Sequence, residues 1–159
     1  MEGYIVGYRT WQVWARHGRL FLAAPYAGLL WPPQGHDGAG VYRAICQRAR
    51  HPAPALDCRC GIYALRVLPD VPRSDSCFVG GGLIIGAVAL GGTVIEHQDG
   101  WRGETATLLA LVPPSCPVCG RPAAYYCYDP YSSILPAFAY CASCVAAAPR
   151  DVAPALQGG

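Results

Sequence analysis

The sequence predicts an α+β fold in which strands dominate. A small mixed sheet with one short helix is expected over residues 1–112, a compact module over 115–150, and a flexible tail over 151–159. Three observations carry this. Runs of Val, Ile, Thr, Tyr and Trp recur between clusters of Gly and Pro, the pattern of strands joined by turns. One stretch near the middle places its apolar residues at helical spacing. Pro113-Pro114 then separates the last long strand signal from a segment punctuated by cysteine.

In chain order, residues 4–14 carry Tyr, Ile, Val, Trp and Thr in partial alternation, His17-Gly18 supplies a turn, and 20–23 returns as the second arm of a hairpin. Pro25, Gly28, Pro32, Pro33, Gly35, Gly38 and Gly40 mark a long irregular connection holding Leu29-Leu30-Trp31. Long ordered loops often carry function, which makes Trp31 a candidate partner contact. Residues 41–50 set Val41, Ile45 and Ala49 along one side with Arg43, Arg48 and Arg50 beside them, so a short amphipathic helix is expected, ended by His51-Pro52. Strands are expected over 83–90, 93–97 and 105–112, with Gln98-Asp99-Gly100 as a turn. Residues 123–128 and 135–140 predict a second hairpin around a turn at 129–133. A helix-permissive stretch at 145–148 ends at Pro149.

The cysteines carry the chemistry. Cys116-Pro117-Val118-Cys119-Gly120 and Cys141-Ala142-Ser143-Cys144 are two Cys-x-x-Cys pairs, each able to put both sulfurs on one ion at about 2.3 Å while the chain turns tightly around them. Pro117 stiffens the first turn, and Gly120 accepts the positive φ that such a knuckle needs. A thioredoxin-type redox pair would need a helix after it, and Gly120, Arg121 and Pro122 block one. The expectation is a zinc ribbon or treble-clef module with ligands Cys116, Cys119, Cys141 and Cys144. Cys127, between the pairs, reads as a buried small hydrophobe.

A second cluster precedes it. Alternate spacing puts Cys58 and Cys60 on one side of an extended chain, and Cys46 and His51 lie shortly before, so Cys46, His51, Cys58 and Cys60 form a candidate zinc site of three cysteines and one histidine. His97 and Cys77 are alternative ligands for the same site. Two Zn2+ per chain are therefore expected.

Composition bounds the function. At 159 residues and 53% hydrophobic content the chain is globular, with room for one domain or two small ones. Net charge is +2 and the pI is near 8.1, well short of the basicity of an electrostatically driven nucleic-acid binder. Every basic residue is Arg in a chain rich in Ala, Gly and Pro, so the arginines alone do not point to phosphate. Nine cysteines, an odd number, fit metal better than a disulfide framework and suggest a reducing compartment. The opening Met1-Glu2-Gly3-Tyr4 lacks the pattern of a signal peptide, and cytoplasm is the expected location. Residues 76–95 are uncharged, but Gly80, Gly81, Gly82, Gly86, Gly91 and Gly92 break them into strand-length pieces, so no membrane span is expected.

Three motifs bring a resemblance. Cys46…His51-x-x-Pro54…Cys58-x-Cys60-Gly61-Ile62-Tyr63-Ala64, then Gly86-x-Val88-Ala89-Leu90-x-Gly92, then Glu96-His97-x-x-Gly100-Trp101-Arg102 together resemble a group of small proteins from actinobacteria and their phages, over residues 4–112. The resemblance implies that the first cysteine cluster is a motif in its own right. It brings no catalytic residues, and the 115–150 module stands outside it.

Two functional classes follow. One is a non-enzymatic, zinc-stabilised adaptor or regulator that binds a protein or nucleic acid through Arg43, Arg48, Arg50, Trp31 and the aromatic C-terminal hairpin, with Tyr126 and Tyr131 as its candidate contacts. The other is a metal-dependent enzyme with an open zinc position, or one using Glu96 and His97 as an acid-base pair assisted by Arg102 and Glu104. The number of ligands at each site separates them: four close a site, three leave a place for water.

Overall fold

The computed structural model of the chain describes residues 3–16, 19–24, 30–31, 40–69, 83–112, 114–116, 118–128, 135–136, 138–146 and 151–154. His17, Cys77 and Tyr131 lie outside them, as does most of the loop read between 25 and 40.

The strands are β1 (Ile5–Arg16), β2 (Arg19–Ala23), β3 (Val41–Arg43), β4 (Ile62–Leu65), β5 (Leu83–His97), β6 (Gly100–Val112), β7 (Tyr125–Tyr128), β8 (Leu135–Pro136), β9 (Phe138–Tyr140) and β10 (Asp151–Pro154). One helical turn, α1 (Ala142–Val145), is the helix among the described residues. The fold is mostly β.

The pairing path of the first sheet returns to its start. β1 runs antiparallel to β5 from Ile5↔Leu90 to Gln12↔Leu83, β5 to β6, and β6 to β4 from Gly100↔Leu65 to Gly103↔Ile62. β4 then meets β1 again at Tyr8↔Leu65. A closed path of this kind makes a small barrel of β1, β4, β5 and β6, each paired on both sides, while β3 pairs with β6 alone among the described residues. Closure depends on β5 and β6 bending enough to serve both sides. The ladder between them shifts register at Ala87/Val88 and at Gly91/Val94, and such bulges increase local twist. The glycine pair at 91–92, read from sequence as a break between two strands, is thus an irregularity inside one continuous strand.

Alternation fills the interior. Trp11 and Val13 of β1, Ile62 and Ala64 of β4, Ile84, Val88 and Leu90 of β5, and Ala106 of β6 are buried in one cluster, while Tyr63 between its two buried neighbours is exposed. Trp31 caps this cluster. Its ring meets Trp11 edge-on at 5.1 Å and stacks on Tyr42 at 4.8 Å. A residue buried this way is core, so the reading of Trp31 as a partner contact is corrected. Truncation to Ala is expected to cost about 3–5 kcal/mol of stability in denaturant titration while leaving bound metal unchanged.

The helix expected over 41–50 does not form. Val41, Tyr42 and Arg43 pair with Thr107, Ala106 and Thr105 of β6, and Ala44 N–H donates to the Glu104 carbonyl at 2.7 Å, extending the ladder. Ile45, on the presumed apolar face, is 77% exposed. A ten-residue helix is marginal without a buried face, and here sheet pairing and the approach of Cys46 to Cys58 take its place.

The C-terminal segment builds a three-stranded sheet in the order β10-β7-β9. Residues 151–154, expected as the start of a flexible tail, form β10 against β7. The strand expected over 135–140 splits, with β8 pairing to Trp14 and Ala15 of β1 and β9 to β7. Ala123, Tyr126 and Ala139 join the same buried cluster as the barrel core. Tyr126 is 1% exposed, so it too is a packing residue and not the surface contact expected from sequence.

Candidate metal centres

Cys116, Cys119, Cys141 and Cys144 gather with all four sulfurs within 4.8 Å of one another. The first pair sits on a knuckle. Gly120 N–H donates to the Cys116 carbonyl at 2.8 Å, Cys116 N–H to the Arg121 carbonyl at 2.7 Å, and Gly120 holds φ +73°, the conformation expected of it. Bridge pairing of Ser115 with Pro122 and the bond from Ala123 N–H to the Pro114 carbonyl close the base of the turn. The second pair sits on α1. Cys141 is its N-cap residue and accepts from Cys144 and Val145 N–H at 3.1 and 3.0 Å, so residues three apart present both sulfurs on one side.

The geometry fits a tetrahedral ion. Arms of about 2.3 Å imply sulfur separations of about 3.8 Å. Cys119 and Cys141 sulfurs are 3.5 Å apart. Electrostatics point the same way. The Arg121 backbone N–H and its guanidinium, whose Nε donates to Sγ at 3.5 Å, together with Cys141, hold the Cys119 thiol down to about 6. Cys144 is pushed up to about 12, first by its hydrogen bond to Cys141 and then by burial and the neighbouring sulfurs. Four thiolates this close repel one another, and a divalent cation is what lets all four lose their protons. Cys127 is buried, as expected, and is not one of the four grouped ligands.

Cys46, His51, Cys58 and Cys60 form the second group, their ligand atoms also within 4.8 Å. Cys46 and Cys58 sulfurs lie 3.8 Å apart, the tetrahedral edge. His51 Nδ1 donates to the Pro52 carbonyl at 2.8 Å, since a carbonyl only accepts, which leaves Nε2 with its lone pair for a metal. That bond holds the His51 pKa above its usual value. Cys60 enters β4 through Gly61, whose φ of +121° suits glycine, and where a Cβ would stand 3.0 Å from Pro54 Cβ and 3.1 Å from Arg102 Cβ. The structure brings His51 to this group. His97 packs its ring on Tyr63 at 5.4 Å instead.

Arg102 is the residue that sequence reasoning misplaced. Expected beside Glu96 and His97, its 8%-exposed side chain instead reaches the metal loop, where Nη1 donates to the carbonyls of Ala55 at 3.4 Å, Cys60 at 3.0 Å and Cys58. Two of those carbonyls belong to ligand residues, so β6 fixes the backbone from which the sulfurs project. The signal lay in strand register, Arg102 opposite Tyr63, and register is not written in a single strand.

The proposed acid-base pair does not assemble. Glu96 and His97 are neighbours on one strand and project to opposite faces, and Glu96 is ion-paired with Arg66. Glu104 pairs with Arg43 at 2.5 Å and accepts from Thr93 N–H at 3.1 Å. Of the candidate partner contacts, Arg43 is thereby engaged, whereas Arg48 and Arg50 are exposed without a carboxylate partner among the described residues. No helix of the described residues is long and apolar enough to cross a membrane.

No protein-family model, curated protein or solved structure matches the chain.

Proposed function

We propose that the protein is a non-enzymatic adaptor whose two metal centres are closed structural zinc sites. The observation that supports this is the donor count, four in each group, with sulfur separations near the tetrahedral edge. Thiolate and imidazole donors suit zinc, and four of them leave no position for a catalytic water. The C-terminal centre reads as treble-clef-like: a knuckle, a short sheet, and one helical turn bearing the second pair. The first centre organises the irregular chain between β3 and β4, which holds no strand or helix across residues 46–60. Both centres then serve to shape surfaces, and a protein partner fits those surfaces better than nucleic acid, because Trp31 and Tyr126 are buried and cannot stack on bases.

Titration of metal-free protein with cobalt(II) tests the closed-site reading. Two equivalents giving the intense visible bands of tetrahedral thiolate coordination are expected. Three protein ligands and a water are also tetrahedral, so the bands should in addition stay unmoved when a small ligand such as azide is added; a spectrum that shifts with it at either site would show an open position and return the enzyme reading to the front.

A further inference from the structure

We infer that the loop of the first centre, residues 44–60, is the docking surface for an acidic protein segment bearing aliphatic side chains. The inference rests on the adaptor reading and names the partner's chemistry.

Two large aliphatic side chains stand in water on this loop. Ile45 is 77% exposed and Leu56 86%, the two highest values among the exposed large hydrophobics of the described residues, whereas Ile62, Ile84, Val88 and Leu90 of the barrel core are 0–3% exposed. Both issue from the metal cluster itself: Ile45 precedes Cys46 and Leu56 stands two residues before Cys58, and those two sulfurs are 3.8 Å apart. Exposed apolar area held in a fixed place favours association by about 25 cal/mol per Å² covered.

Charge says what covers it. Arg48, Arg50 and Arg59 are exposed on the same loop, and none has a carboxylate partner among the described residues. Elsewhere on the barrel the exposed arginines are answered, Arg43 by Glu104 and Arg66 by Glu96. The loop's own acid is Asp57, and Arg48 lies close enough to support the Cys58 thiolate. Even after Asp57 and the residual negative charge of a three-thiolate, divalent-ion centre, the loop that carries the two aliphatic residues keeps a net positive charge. An acidic segment with aliphatic side chains answers both features, with the charges setting encounter and the aliphatics supplying affinity. Nucleic acid would answer only the charge: Ile and Leu offer no stacking face, and the chain's net charge is only +2.

The loop is also ready to bind. Metal ligation at four points and Arg102 on three carbonyls fix it before a partner arrives, which removes much of the ordering cost of docking.

The test is selection of a displayed random-peptide library on metal-loaded full-length protein, with metal content measured on every sample. Enriched peptides should combine Asp or Glu with aliphatic side chains and bind more weakly as salt rises. Leu56→Ser with Ile45→Ser, and separately Arg50→Glu with Arg59→Glu, should each weaken them by about tenfold or more at unchanged metal content. No enrichment, enrichment of basic peptides, binding indifferent to both variants, or tighter loop-dependent binding of a fluorescein-labelled mixed-sequence single-stranded oligonucleotide would each overturn the docking inference alone. A protein that holds no metal at the first site would instead overturn the reading beneath it.

Discussion

Cys141→Ser is expected to release one of two metal ions and unfold the C-terminal sheet while the barrel persists. Serine is itself a favoured N-cap residue, so α1 loses a ligand and not its cap. What remains cannot hold the segment. A four-residue helix has no stability of its own, and β7, β9 and β10 span only 4, 3 and 4 residues. Structural zinc contributes an apparent 10–16 kcal/mol, roughly, against the ~5–15 kcal/mol net stability of a whole domain. Limited proteolysis should therefore cut between 115 and 154 and leave a resistant core ending near Val112. That core should be weakened, because Tyr126 leaves the shared cluster and β8 leaves β1. Undiminished protease resistance would contradict a stabilising metal there. Loss of the barrel as well would show that the two parts fold as one unit.

The second large effect belongs to Arg102→Met. Methionine fills much of the space but donates nothing, so three carbonyls of the metal loop lose their shared donor. Hydrogen bonds from a charged donor are worth about 1.5–3 kcal/mol, and removing groups that orient metal ligands costs about 10–100-fold in metal affinity. The expected result is weaker metal binding at the first centre alone, read by competition with a chromophoric chelator, with the C-terminal four-cysteine centre unchanged. Arg102→Lys should restore part of the affinity, since all three bonds come from one nitrogen, Nη1, and an ammonium also offers three donors from one nitrogen. Equal affinity in Arg102→Met would show that the loop is held by its ligands without help from β6.

The parts of the molecule legible in its sequence are those set by local spacing. Cys-x-x-Cys followed by Gly120 specified a knuckle because a few bonds of chain decide whether two sulfurs can share an ion, and the knuckle's hydrogen bonds are in place. The β1–β2 hairpin was legible for a similar reason, as its apolar alternation is local. Faces were less legible. Trp31 and Tyr126 look the same in sequence whether they cap a core or meet a partner, and it is the pairing of Leu30 with Ala23 and the bond from Trp31 N–H to the Leu22 carbonyl that bring Trp31 onto the core. The spacing of Val41, Ile45 and Ala49 suggested a helix, yet sheet pairing at 41–43 and the turn of the chain toward Cys58 outweighed a weak propensity signal. Arg102 was the least legible of all, because its role depends on which strand lies opposite and on a loop more than forty residues away in sequence.

The central claim, two closed four-ligand metal centres, is tested most directly by elemental analysis of the purified full-length protein and of its Cys58→Ser and Cys141→Ser variants. Two zinc ions in the parent chain and one in each variant are expected. A parent chain with no bound metal, or variants that each keep the full metal content of the parent, would contradict it.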